Sequence, residues 1–380
     1  MDTGNTRLNV KQGASQATDA AKAVAELKQQ IEQPEMSGVV FFCSSKYDLT
    51  ALGRELQQAF SCPVVGCTTA GEILSDNGYT DGGIVGTSLS SSELVLHPYL
   101  VENLDQHSEE DAKQLTAVME KDLQLFKQLT PANMFALLLV DGMSMLEEQT
   151  VAALYGVLNG VSLIGGSAGD DLAFKESWVY AEGRFVTNAA LLTLFETTLP
   201  YQVFKTQHIE ATDERLVITS ADAPKRIVYE INGAPAAEEY ASVVGVDTSE
   251  LTPEIFSTHP VMLLIGGEYY VRSIQKANDD GSLSFYCAID NGLVLRLGKG
   301  AELVSNLREQ LDSLSMEIPS IQLILGCDCI LRRLEITQKE LLADVNSTLK
   351  GTHFIGFSTY GEQFNSVHVN QTLTGVALGG

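Results

Sequence analysis

No run of apolar residues in the chain approaches the ~20 that a membrane-spanning helix needs, and the N-terminus lacks the charged-then-apolar pattern of a secretory signal. Basic residues are scarce: 24 Lys and Arg stand against 49 Asp and Glu, a formal charge of −25. That balance excludes a nucleic-acid binder, which neutralises phosphates with clustered Lys and Arg, and equally a protein that sits on anionic lipid. Its plain consequence is solubility. Six cysteines in 380 residues are too few for a disulfide scaffold. Structural zinc would need two cysteine pairs, or a cysteine pair and a histidine pair, at set spacing, and no such set occurs. C-x-x-C-H, which attaches haem covalently, is missing too. These absences predict a reduced, soluble, cytoplasmic protein without a linear metal motif.

What the chain has in quantity is apolar residue, at 44%, and 32 glycines. The first is ample for the cores of two domains. The glycines are patterned. Val64-Val65-Gly66-Cys67-Thr68-Thr69-Ala70-Gly71-Glu72 recurs as Phe354-Ile355-Gly356-Phe357-Ser358-Thr359-Tyr360-Gly361-Glu362. Leu163-Ile164-Gly165-Gly166-Ser167-Ala168-Gly169-Asp170 is a third version with one hydroxyl position missing, and the three place Cys67, Ser167 and Tyr360 at comparable positions. Each copy follows an apolar strand (Val39–Cys43, Phe135–Val140, Ile321–Leu325) and a helical pattern. The fold class is therefore α/β: two mixed-sheet domains built on a strand–helix–strand–glycine-loop unit used three times.

In chain order, residues 1–36 read as a helical appendage with Ala20, Val24, Leu27 and Ile31 on one face. Residues 37–220 form the first domain and 221–380 the second, the boundary falling in the polar stretch Lys205–Ala223. Asp48 caps a helix striped by Leu52 and Leu56. Glu93–Tyr99 is expected to pair with the strand opening at Ile84. Ser108 begins a helix with Leu115, Val118, Met119 and Leu123 inward; Ser144/Glu147 and Thr337/Glu340 are expected capping boxes. Between Val261 and Leu297 short alternating runs predict an antiparallel meander, and Leu303, Leu307, Leu311 and Leu314 predict a helix.

Candidate chemistry is thin. Gly165–Gly169 fits the G-x-S-x-G of a hydrolase elbow on Ser167, yet a hairpin pattern follows where the elbow requires a helix. A P-loop at Gly298-Lys299 fails, because Leu293 stands where its first glycine belongs and Gly300 replaces the hydroxyl. Cys327 and Cys329 share a strand face and read as buried free thiols. Of the histidines, His107 and His208 read as solvated, whereas His259 and His368 are placed to face a pocket. Strand ends in α/β sheets are where ligands bind, so Thr68, Thr69, Glu72, Ser167, Asp170, Tyr360 and Glu362 are the candidate ligand residues, against the alternative that the acids merely cap nearby amides.

Val64–Glu72, Gly165–Asp171 and Phe354–Glu362, with the following His368-Val369-Asn370-Gln371-Thr372, resemble the signatures of FIST-domain proteins, which pair an N-terminal and a C-terminal FIST domain. The likeness covers about Ser37 to Gly380. It implies a sensory protein that binds a small ligand and signals to a partner. The Phe41-Phe42-Cys43-Ser44-Ser45 opening looks most like the NosP-type nitric-oxide sensors of that family. That resemblance implies haem b, with His368 or His259 as axial candidates, and regulation of a separate histidine kinase or cyclic-di-GMP enzyme. Two alternatives stand beside it: a sensor of an amino acid or other small metabolite without haem, and a serine hydrolase on Ser167.

Overall fold

A computed structural model describes residues 7–106, 117–119, 121 and 133–380. The expected start of the long helix at Ser108, with Leu115 and Leu123, and His107 lie outside the described residues. Of that stripe Met119 is buried, whereas Val118 is half exposed.

Three six-stranded sheets carry the three glycine units, each around one parallel pair. Gly38–Cys43 runs beside Val64–Thr68, Met134–Val140 beside Ser162–Ser167, and Ile321–Cys329 beside Phe354–Thr359. The strands are apolar throughout because both sheet faces are covered. Inner faces of all three sheets share one core containing Phe42, Phe135, Ile164, Leu325 and Phe357. Outer faces carry helices: Ala20–Ile31 and Leu49–Ala59 on the first sheet, Glu147–Val157 on the second, Leu303–Glu317 and Leu342–Leu349 on the third. Asp48 caps its helix as expected, accepting from Ala51 N at 3.0 Å.

The units are linked by a cyclic exchange of hairpins. The hairpin after the first glycine loop (Glu72–Leu74, Gly78–Thr80) joins the third sheet, pairing Ile73 with Gly356. That of the second unit (Val179–Ala181, Arg184–Val186) joins the first sheet, pairing Tyr180 with Gly66. That of the third (Glu362–Phe364, Val367–Val369) joins the second, pairing Gln363 with Gly165. These pairings explain the repeated glycine. A Cβ on Gly66, Gly165 or Gly356 would lie 2.3, 2.1 or 2.2 Å from the carbonyl oxygen of Phe41, Leu138 or Gly326 across the parallel pair. No side chain fits there.

Residues 209–300 build a fourth, wholly antiparallel sheet with its own core around Leu216, Val228, Tyr240 and Phe285. The strands are antiparallel as expected but do not form a meander: Val261–Ile265 lies between Glu268–Arg272 and Val294–Gly300, and Leu283–Phe285 lies between Ile274–Ala277 and Ile227–Ile231. The polar stretch before them is different too. Ile209–Asp222 is a strand paired with Val294–Gly300 and Ile227–Ile231, so the boundary drawn at 220 falls inside it.

Other local expectations are corrected. The N-terminal segment read as a helical appendage also supplies a strand, Asn9–Ser15, zipped along Ile84–Ser90. Leu94–Glu102 does not pair with that strand: both flanks of Ile84–Ser90 are taken, and Leu94–Glu102 joins Ala189–Thr197 in the second sheet. Neither capping box forms. Ser144 Oγ accepts from Leu146 N and Glu147 is drawn off by Arg226, while Thr337 lies inside the helix Ile330–Gln338 and bonds back to Arg333 O.

Candidate functional site

The three glycine loops meet one another, edge to edge, through their backbones. Ala70 N donates to Ser358 O at 3.0 Å and Ser358 N to Gly71 O at 2.7 Å. Gly169 N donates to Thr68 O at 3.0 Å, Asp171 N to Thr69 O at 2.9 Å, Ser167 N to Gly361 O at 2.7 Å and Tyr360 N to Ser167 O at 3.1 Å. Strand register makes Thr68, Ser167 and Ser358 the equivalent residues; the alignment of Cys67, Ser167 and Tyr360 is corrected accordingly.

Most of the expected ligand groups are engaged internally. Thr69 Oγ1 donates to Glu72 Oε1 at 2.7 Å, and Glu72 Oε2 accepts from Gly83 N. Thr359 Oγ1 likewise donates to Glu362, which accepts from Thr372 N and, at 2.7 Å, Thr372 Oγ1. Each acid thus ties its glycine loop to the start of the strand that returns through its own sheet. Burial outweighs these bonds and pushes each carboxyl up to about 8. Thr68 Oγ1 accepts from Trp178 N at 3.0 Å. Ser167 Oγ, wholly buried, accepts from Gln363 Nε2 at 2.9 Å.

The second unit departs from this pattern. Its tie to the return strand is Asp141, which accepts from Ser177 Oγ and Asn188 N, both at 2.6 Å. Asp170 and Asp171 hold an excursion over 171–176. Asp170 accepts from the amides of Phe174, Lys175 and Glu176, and Asp171 from Ser44 and Ser45. Asp171, Leu172 and Phe174 have φ of 55°, 67° and 51°, the left-handed region that side chains disfavour. The excursion lays Phe174 on Tyr360, rings stacked 4.6 Å apart, and Tyr360 donates its hydroxyl to Asp170 at 2.5 Å. Under Phe174 is a narrow cleft of about 10 Å³, room for about one water, lined by Tyr286, Cys329, Ile330, Leu331, Tyr360 and Asn370.

His368 lies beside this cleft, near Asn370. It is buried, and its Nδ1 stands 3.3 Å from Gln363 Nε2. Its Nε2 has no partner among the described residues, and neither have Gln363 Oε1, Gln371 Oε1, Ser273 Oγ and Arg272 Nε. Desolvation lowers the imidazole pKa to about 4, so it is neutral at physiological pH. His259 belongs elsewhere: its Nδ1 meets Thr258 Oγ1 at 3.0 Å and its carbonyl accepts from Tyr240.

His208, expected to be solvated, is buried in a charged cluster. Its Nε2 meets Glu335 at 2.8 Å and its Nδ1 meets Arg332 at 3.1 Å; Arg332 Nε donates to Asp328 at 2.7 Å, and Tyr79 donates to Asp328 at 2.5 Å. The cluster joins the first unit's hairpin to the third unit's strand and helix. A second buried cluster sets Arg226 between Glu147 and Glu148, at 2.7 and 2.8 Å, locking the fourth sheet onto the helix of the second unit. Neither cluster has a sequence motif; an Arg four residues after an Asp was the one available sign.

A neutral imidazole with Nε2 unpartnered is what a haem iron takes when the proton is on Nδ1; here Nδ1 faces Gln363 Nε2, so ligation requires the Gln363 amide to turn and present its unpartnered Oε1. The space in this arrangement does not suit a porphyrin. A Cβ on Gly361 would lie 2.3 Å from His368 Cε1 and 2.7 Å from Nε2, so the loop backbone is packed against that ring edge. The neighbouring cleft, at about 10 Å³, is far below the ~300–1,000 Å³ typical of sites for larger organic ligands. A porphyrin there requires the loop at Gly361 and Phe174 to move. Among the described residues no group of three or more His, Cys, Asp or Glu is placed to hold a metal, and no helix is long and apolar enough to cross a membrane.

Residues 37–234 match the family model for the FIST N domain, and residues 236–365 match that for the FIST C domain. No curated protein matches the chain.

Proposed function

Since the chain belongs to the FIST family, whose domains are sensory ligand-binding domains in signal transduction, we propose that it is a non-catalytic receptor for a small ligand, held in the cleft beneath Phe174. The carrying observation is the contrast within the glycine-loop junction. Loop acids elsewhere are spent on the fold, whereas the second unit spends a strained excursion to place one aromatic ring over a cleft at the meeting point of all three units and the fourth sheet. Ser167 bonds to an amide rather than to a base, which supports a non-catalytic reading. Ligand entry displaces Phe174 and shifts the excursion, and a separate partner, a histidine kinase or a cyclic-di-GMP enzyme, distinguishes the two states by its affinity for each.

Trp178, the chain's one tryptophan, follows the excursion directly and bonds to Thr68. A metabolite screen read by Trp178 emission and thermal unfolding tests the proposal. A saturable change that Phe174→Ala alters supports it; ligands that stabilise the protein equally well with the cleft blocked by Tyr360→Trp count against it.

The unpartnered Nε2 of His368 favours haem as the second reading, with nitric oxide as the signal. Haem would supply the gas-binding iron, and this chain would supply the imidazole with Gln363 at its other nitrogen. Incubation with haem, with and without nitric oxide, decides it: a Soret band that shifts with nitric oxide and is lost in His368→Ala supports haem, and no Soret band ends that reading.

A further inference from the structure

The excursion over 171–176 has a side-chain tie at each end of its strained stretch. At Phe174 the tie is to the third unit: the ring stacks on Tyr360, whose hydroxyl accepts from Leu172 N at 3.0 Å and donates to Asp170. At Asp171 it is to the first unit. Oδ2 of this largely buried carboxylate accepts from Ser44 Oγ at 2.8 Å, Ser45 N at 2.9 Å and Ser45 Oγ at 2.8 Å, and Lys46 Nζ stands 3.7 Å from Oδ1. Ser44 and Ser45 belong to the turn between the strand Gly38–Cys43 and the helix Leu49–Ala59. Asp48 caps that helix, and its carbonyl takes Leu52 N at 2.8 Å.

The middle of the same helix is held separately, by the second unit's hairpin. Tyr180 donates its hydroxyl to Gly53 O at 3.2 Å, and a Cβ on Gly53 would lie 2.9 Å from Gly183 O. That hairpin is isolated from the excursion by its own fastenings: Ser177 Oγ on Asp141, Trp178 N on Thr68 Oγ1 and Thr68 N on Trp178 O at 2.9 Å. Only the first turn of the helix therefore answers to the excursion. Between the two ties there is little slack. Ala173 N closes a turn on Asp170 O at 3.1 Å, and Asp171, Leu172 and Phe174 all take φ values that side chains disfavour. Such a conformation persists only while surrounding contacts enforce it, so loss of the tie at Phe174 relaxes the segment and undoes the tie at Asp171.

We infer that the signal leaves the cleft through Asp171: when Phe174 is displaced, the carboxylate lets go of Ser44 and Ser45, and the first turn of the helix Leu49–Ala59 is the part of the surface that changes. Asp171 is thus a positioning residue, acting on that helix through the turn it holds. This rests on displacement of Phe174 by the ligand and adds the route and its destination. Its physical basis is one strained segment with a tie at each end, whose two arrangements both sites bias.

Hydrogen exchange of the full chain, resolved to peptides, tests the route without any ligand. Phe174→Ala, which removes the stacked ring, is expected to speed exchange over residues 44–52 roughly fivefold or more, with residues 53–59 and the helix Glu147–Val157 unchanged. Asp171→Gly removes the carboxylate at a φ that glycine accepts freely; it should speed the same amides, and adding Phe174→Ala to it should do nothing further. Asp171→Asn, which keeps an oxygen to accept, should fall between the parent and Asp171→Gly. Ser45→Ala loosens the tie from the other side and should act in the same direction. An aspartate that only stabilises its own turn would leave Phe174→Ala without effect on residues 44–52, and that result overturns the inference. So does an equal effect of Phe174→Ala with and without the Asp171 carboxylate, or exchange that also quickens across Glu147–Val157. These failures leave the cleft as ligand site standing, since that reading is decided by the metabolite screen; a screen without a hit leaves the measured coupling standing in turn.

Discussion

The first and third glycine loops differ from the second in one decisive respect. In the outer two, Gly71 and Gly361 take φ of 124° and 142°, the chain turns at once into its hairpin, and Glu72 or Glu362 closes the loop on itself. In the second, no such glycine is present, the hairpin is delayed, and Asp141, just past the end of the neighbouring strand Met134–Val140, takes over the closing role. The comparison separates residues kept for architecture from residues free to serve a ligand. A carboxylate repeated across units is here a fastening; the aromatic ring that occurs in only one unit lies over the cleft.

The most severe way to probe this comparison is to strike what all three loops share. Gly66→Ala, Gly165→Ala and Gly356→Ala should each cost roughly 3 kcal/mol or more and give largely insoluble protein, since each new methyl meets a backbone oxygen that cannot move aside. If any one of the three unfolds at the parent temperature, the equivalence of the units fails there. Next in size are the fastenings. Asp141→Ala and Glu362→Ala should each lose about 2–4 kcal/mol by denaturant unfolding, because each strands buried donors at the root of a return strand. A loss confined to Glu362→Ala would show that Asp141 does not play the same part.

A smaller effect is carried by pH. Glu72 and Glu362 hold their protons up to about 8 when folded, against an ordinary carboxylate value near 4.5 when unfolded. The folded state therefore binds protons more tightly, and the stability this brings is full below that ordinary value and lost as pH climbs through about 8. The unfolding temperature should fall between pH 6 and pH 9, and fall less in Glu72→Gln/Glu362→Gln; an unchanged slope in that variant would assign the effect elsewhere. Smallest for stability is Phe174→Ala. Loss of one half-exposed stack should cost about 1 kcal/mol, while Trp178 emission changes and access to the cleft increases. A larger loss would make Phe174 a core residue and weaken the distinction between the loops.

How much of this was legible in the sequence follows from where each constraint acts. Buried strands such as Val39–Cys43 and close-approach glycines such as Gly66 leave a local pattern, so the triple unit could be read directly. The exchange of hairpins could not, because Ile73 and Gly356 are brought together by pairing alone. Asn9–Ser15 was hidden because an edge strand with one polar face has little apolar residue to show. Within the site, Thr69, Glu72, Ser167 and Glu362 were found as a set, but a sequence does not say whether an oxygen already has a partner. Phe174 and Tyr286, which line the cleft, belong to no motif, and His208 was misplaced because its burial depends on Glu335, more than a hundred residues away.

The hairpin exchange also sets a schedule for synthesis. The strand Glu72–Leu74 leaves the ribosome early, yet its partner Phe354–Thr359 follows roughly 280 residues later. The second sheet in turn waits for Glu362–Phe364. Until the last stretch of chain is made, two sheets have open edges next to apolar faces, a state in which neighbouring nascent chains can add to one another. The ring closes only with these late pairings, so production of this protein should depend on chaperone supply and growth temperature more steeply than that of a modular protein of equal length.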